Sequence, residues 1–149
     1  MASLEPQTTI DYPRLALGTV ESLAQTLHQE LYGGGYSLLE SDVLSAFLCE
    51  VQFYSAWAAF AVQKAEAAVV TLLNKDLTLD SYEWAIIEPV VRAHCDLLQA
   101  RLVEGSRSLG GDGFGLQVSE AQQNYLQARE LLPKTAFVAQ PYTLGLSLS

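Results

Sequence analysis

The longest apolar pattern in the chain runs from Asp42 to Asn74 and contains neither Pro nor Gly. Ala, Leu, Gln, Glu and Lys recur in it, side chains that lose little freedom in a helix. Val43, Leu44, Phe47, Leu48, Val51, Tyr54, Trp57, Phe60, Val69 and Leu73 go most of the way round a helical projection. The pattern predicts one helix of about 30 residues, roughly 45–50 Å long at ~1.5 Å per residue. A helix apolar on all sides is enclosed by other helices, other subunits or lipid.

The flanking segments read as shorter amphipathic elements. Between Thr19 and Tyr32, Val20, Leu23, Leu27 and Leu31 recur at three- and four-residue steps, one helical face. Gly33, Gly34 and Gly35 end it with a reversal. Ser37 with Glu40 has capping-box spacing, with Ser41 or Asp42 as alternative caps. The link Leu77-Thr78-Leu79 is short, so the next helix folds back antiparallel. Asp80 with Glu83 again has N-cap spacing, opening a helix over Ser81–Glu104 with Trp84, Ile87, Val91, Leu98 and Leu102 on one face. Pro89 inside it predicts a kink or restart near Glu88. Gly105 closes it, and a Gly-rich loop runs through Val118. Ser119 with Gln122 precedes a helix over Glu120–Leu132 that buries Tyr125, Leu126 and Leu132, and Pro133 stops it.

Pro6, Pro13 and the run Thr8-Thr9-Ile10 make residues 1–18 extended. The stretch after Pro133, with Pro141 in it, reads as a second extended arm. The predicted architecture is an all-α helical bundle over residues 19–132, built on a long helical hairpin, with extended arms at 1–18 and 133–149.

Composition sharpens this picture by exclusion. A length of 149 residues suits one domain. Half the residues are hydrophobic, enough for a core, and the net charge is −9. That balance argues against nucleic-acid binding and against an anionic membrane surface, although an acidic wall can lie beside DNA in order to repel it. The N-terminal residues carry Glu5 and no apolar core of a secretory signal. Val43–Gln63 has the length of a membrane span and only one charge, Glu50. Its Ser45, Gln52, Ser55 and Gln63, and the Lys64 and Glu66 that follow, favour a bundle helix instead. Cys49 and Cys95 lack CxxC spacing and read as free, buried thiols of a reducing compartment.

No stretch spells out a reaction. His28 and His94 are the only histidines. His94, Cys95 and Asp96 are sequence neighbours, but adjacent helical side chains point about 100° apart and do not converge. No HxxxH, HExxH or paired CxxC supplies a metal site. The loop Gly110-Gly111-Asp112-Gly113-Phe114-Gly115 is out of register for a phosphate loop and has too few acids for a hard cation. Glu50, alone in an apolar segment, is either exposed or buried in an ion pair with Arg92 or Lys64. The expectation is a non-enzyme with no catalytic, cofactor or metal residues. The chemistry-bearing candidates are interface aromatics: Tyr54 and Trp57 in the cluster with Phe53 and Phe60, Phe114 on its glycines, and Phe137 and Tyr142 toward the C-terminus.

In architecture the chain resembles the head-to-tail adaptor (connector, neck) proteins of tailed bacteriophages. The resemblance lies in the predicted helix pair Asp42–Asn74 and Ser81–Glu104, the Gly-rich loop and the arm Lys134–Ser149, without a diagnostic motif. It implies a virion protein that self-associates into a ring beneath the portal and lines the DNA channel. Arms would contact portal and tail-side neighbours, and acidic walls would let DNA slide. No sequence-specific nucleic-acid binding and no membrane are implied. The alternative is a cytoplasmic acidic helical binding module, of inhibitor, immunity-protein or chaperone type, that grips a basic partner.

Overall fold

The computed structural model describes residues 16–65, 70–108 and 116–139. These residues form a mostly helical bundle: β1 (Ala16–Thr19), α1 (Val20–Gly33), α2 (Glu40–Ser55), α3 (Ala61–Ala65), β2 (Thr78–Asp80), α4 (Ser81–Ser108) and α5 (Val118–Ala139). The expected helical bundle is there, with a small two-stranded sheet added to it. β1 pairs antiparallel with β2, Gly18 opposite Leu79 and Thr19 opposite Thr78, with an irregularity between Ala16 and Gly18. The end of the predicted N-terminal arm thus belongs to the body, while residues 1–15 lie outside the described residues.

Local chemistry explains most helix starts. Thr19 caps α1, its hydroxyl accepting from Ser22 N at 3.2 Å. Two further α1 donors are satisfied across the sheet, Val20 N by Leu77 O at 2.8 Å and Glu21 N by Lys75 O at 2.9 Å. The reversal after α1 uses Gly35 at φ +100°, a region costly for a side chain with a Cβ. At the start of α2 the cap is Leu39, whose N–H donates to Asp42 Oδ2 at 3.0 Å. At α4 the expected box is complete: Asp80 N donates to Glu83 Oε1 at 3.0 Å, and Glu83 N to Asp80 Oδ1 at 2.7 Å.

Over Asp42–Asn74 the described residues hold two helices, α2 and α3, with irregular backbone at 56–60 and 70–74, in place of a single helix. α2 ends at Ser55 although no Pro or Gly stands there. The reason is Phe60. Six residues of continued helix turn through about 600°, placing Phe60 roughly 120° away from the face of Tyr54. The chain leaves the helix, and both rings reach the core with centroids 5.0 Å apart. Trp57 N and Ala58 N close the turn on Tyr54 O. Glu83 Oε2 then accepts from Ala61 N at 3.0 Å, capping α3. Read only to Ser55, the buried positions Val43, Ala46, Phe47, Glu50, Val51 and Tyr54 form one stripe.

α4 runs unbroken through Pro89 to Ser108, and Gly105 lies inside it. Pro89 and Ala85, whose carbonyl loses its usual donor, are both exposed, so water reaches the freed acceptor. α5 likewise continues through Pro133 to Ala139. Leu132 and Ala136, on either side of that proline, are buried, and their packing outweighs a proline cost of about 3 kcal/mol. The expected arm from residue 133 is therefore helical through 139, and residues 140–149 lie outside the described residues. α4 packs against both α2 and α5, and α1 packs on α2. Phe47 stacks on Trp84 at 4.9 Å between α2 and α4. The segment between α1 and α2 is tied to α4 by Tyr36 donating to Asp96 and by Ser37 N donating to Gln99 Oε1.

Candidate functional site

The polar cluster that stands out is built on Glu50. It sits in the apolar stripe of α2 and is 0% exposed. An unpaired carboxylate there would cost several kcal/mol, so partners are required. They come from two other helices. His94 on α4 places Nδ1 3.0 Å from Glu50 Oε1. Tyr125 on α5 donates its hydroxyl to the same oxygen at 2.6 Å. Arg129, one turn further along α5, holds Nε 3.7 Å from Oε2. That distance is an ion pair without a hydrogen bond, and both Oε2 and Nε lack a hydrogen-bond partner.

Aromatic contacts fix the positions of these groups. The Arg129 guanidinium lies 4.3 Å from the centroid of Phe53 and 5.7 Å from that of Tyr125, within cation–π range. The rings of His94 and Tyr125 are 4.9 Å apart. Cys49 completes the group. Its sulfur, a Glu50 carboxylate oxygen and a His94 ring nitrogen all lie within 4.8 Å of one another. Cys49 and His94 are partly exposed, so the cluster reaches the surface.

Two groups titrate abnormally here. Burial pushes the Cys49 thiol up and the Glu50 charge adds to the shift, against a smaller opposing pull from Arg129. The Tyr125 phenol is raised mainly by burial and further by its hydrogen bond to Glu50. A protonated, partly buried thiol is a poor nucleophile. The cluster suits holding a proton or a soft cation better than attacking a carbonyl.

The predicted positions fall elsewhere. Tyr54 is in the core at 1% exposure. Trp57, three residues on, is 54% exposed and meets Phe53 edge-on. Phe114 and Tyr142 lie outside the described residues. Phe137 is in α5, and its side chain lies outside what is described. Glu50 is buried, but Arg92 is not its partner: Arg92 bridges Glu30 at 2.9 Å and Glu88 at 3.0 Å. The expected divergence of His94, Cys95 and Asp96 holds. Cys95 is in the core, its thiol pushed up to about 12 by burial, and Asp96 accepts from Tyr36. The His94 cluster was missed because its partners are 44 residues before it and 31 and 35 after it. The available signal was a lone acid in an apolar stripe, together with Tyr125 and Arg129 at i, i+4.

Comparisons of the chain with protein-family models, with curated proteins and with solved structures yield no match. Among the described residues no helix is long and apolar enough to cross a membrane.

Proposed function

We propose that this chain is a non-enzymatic structural subunit of an oligomeric assembly, and within that class an adaptor-ring subunit of the phage head-to-tail type that docks under a portal. The observation that carries the reading is the set of large apolar side chains left outside a closed core. Trp57 follows α2, Val70 and Leu72 precede β2, and Leu126 and Leu131 lie on α5, all of them exposed. Val62, Val70, Leu72 and Leu77 also line an open groove of about 430 Å³. Exposed apolar area of this kind marks contact with neighbours, and a ring subunit has neighbours on both flanks. The net charge of −9 suits a wall past which DNA slides. In this reading the protein resides in the virion and works through self-association and contacts with portal and tail-side proteins.

The test is the mass of the full chain by light scattering across a wide concentration range, with Trp57→Glu and Leu126→Glu beside it. The expected result is concentration-dependent self-association that both substitutions weaken while leaving the melting temperature within a few degrees. A monodisperse monomer at every concentration overturns the reading in favour of an acidic binding module.

A further inference from the structure

We propose that Cys49, Glu50 and His94 form a binding site for a single divalent transition-metal ion, with zinc as the best match. The donor set points to that class. Thiolate and imidazole select soft and borderline ions, whereas magnesium and calcium want oxygen alone. Three protein ligands with one position left over is a common zinc arrangement.

The geometry is close to what coordination needs. Zinc bonds of about 2.0–2.3 Å at tetrahedral angles put ligand atoms roughly 3.3–3.6 Å apart. His94 Nδ1 and Glu50 Oε1 are already 3.0 Å apart, so a few tenths of an ångström of opening admits the ion. The Cys49 sulfur, a His94 ring nitrogen and a Glu50 carboxylate oxygen lie within 4.8 Å of one another, and the sulfur closes on the ion as it binds. The ion bonds to Nδ1 of the neutral imidazole in the tautomer that carries its one ring proton on Nε2. Cys49 loses its thiol proton to solvent as its sulfur–metal bond forms.

The other oxygen of the same carboxylate stays on the arginine side. Glu50 is fully buried, yet its Oε2 accepts no hydrogen bond and Arg129 stops 3.7 Å short of it. A metal-bound carboxylate whose second oxygen faces an arginine is an ordinary outer-shell arrangement. Arg129 opposes the added cation, but its guanidinium rests on Phe53 and is partly exposed, so water screens much of its charge. Because Glu50 is on α2 and His94 on α4, the bound ion would join two of the bundle's packed helices.

The proposal is independent of the assembly reading, since it is tested on the full chain whatever its oligomeric state. Chelator-treated protein is titrated with cobalt(II) and followed by absorbance, then with zinc(II) by calorimetry. The expected result is one ion per chain, with an intense near-ultraviolet sulfur-to-cobalt charge-transfer band and visible bands of tetrahedral strength. Cys49→Ser removes the charge-transfer band, His94→Ala weakens zinc binding at least about tenfold, and Cys95→Ala leaves both unchanged. Absence of stoichiometric binding by the unmodified chain overturns the proposal, as does a cobalt band that survives Cys49→Ser. The first of these needs no variant to fold.

Discussion

Two buried glutamates, Glu83 and Glu50, meet the same electrostatic problem in different ways. Glu83 is 1% exposed at the start of α4. Its two oxygens accept from backbone, Oε1 from Asp80 N and Oε2 from Ala61 N, each at 3.0 Å. Glu50 is also withdrawn from water, but His94 on α4 and Tyr125 on α5 reach it with side chains, and one oxygen goes without a hydrogen bond. Backbone donors cannot swing away or change protonation, so Glu83 is locked into joining β2, α3 and α4. Side-chain donors can do both, so the Glu50 cluster can exchange a partner. A fold can keep a carboxylate buried for rigidity or for exchange, and the donors distinguish the two.

The largest expected effect is therefore at Glu83. Glu83→Gln turns an NH₂ group toward a backbone N–H and removes two charge-assisted bonds. One orphaned buried donor costs about 1–3 kcal/mol, and the weakened second bond adds to it, so we expect a loss of about 3 kcal/mol. Urea denaturation measures it. The same substitution at Glu50 should cost less, about 1.5 kcal/mol, because the amide oxygen still accepts from Tyr125 and only a partly exposed arginine, 3.7 Å away without a hydrogen bond, loses its counter-charge. Equal costs at the two sites would erase the distinction.

The two sites were not equally legible in the sequence. Asp80 and Glu83 are three residues apart, and the spacing that makes a capping box is a local property. So is the apolar face of α1, where Val20, Leu27 and Leu31 are buried as their spacing implied. The turn at Ala56–Phe60 was not legible, because nothing local forbids helix there and only the burial of Phe60 beside Tyr54 ends it. Nor were the continuations of α4 and α5 through Pro89 and Pro133, which depend on what each proline's neighbours face. The pairing of β1 with β2 joins two short strands about 60 residues apart in sequence, too few residues to leave a periodic trace. The Glu50 cluster belongs with these non-local features. Its acid was visible, and its partners required the packing of three helices.

Tyr125→Phe sharpens the comparison with a smaller effect. It removes one hydrogen bond to Glu50 and keeps the ring against His94 and Arg129. The expected loss is about 1–1.5 kcal/mol, read from the shift in urea midpoint. If the Glu50 site exchanges partners as described, the variant should also bind cobalt(II) no more weakly than the parent chain, since the phenol competes for the same carboxylate oxygen. Tighter binding supports the competition, and weaker binding argues that the phenol is itself a ligand.

The smallest effect is alkaline titration, which touches one glutamate and spares the other. Folding raises the Cys49 thiol and the Tyr125 phenol, chiefly by burial and then through Glu50. A group whose folded pKa is raised binds its proton more tightly in the folded state. The stability it lends is complete below its unfolded pKa and is lost as pH rises through the folded value. The window therefore opens near about 9 for the thiol and about 10 for the phenol. Tyr36, raised to about 12 by burial and by its bond to Asp96, adds a loss between about 10 and 12. The melting temperature should be flat through neutral pH and fall above about 9, and tyrosinate absorbance should lag the unfolded chain. Cys49→Ser and Tyr125→Phe should each flatten part of that fall, whereas Glu83→Gln should lower the whole curve without changing its alkaline slope. A Glu83 variant that changed the slope would mean that the α4 cap and the Glu50 cluster titrate as one network and are not separate sites.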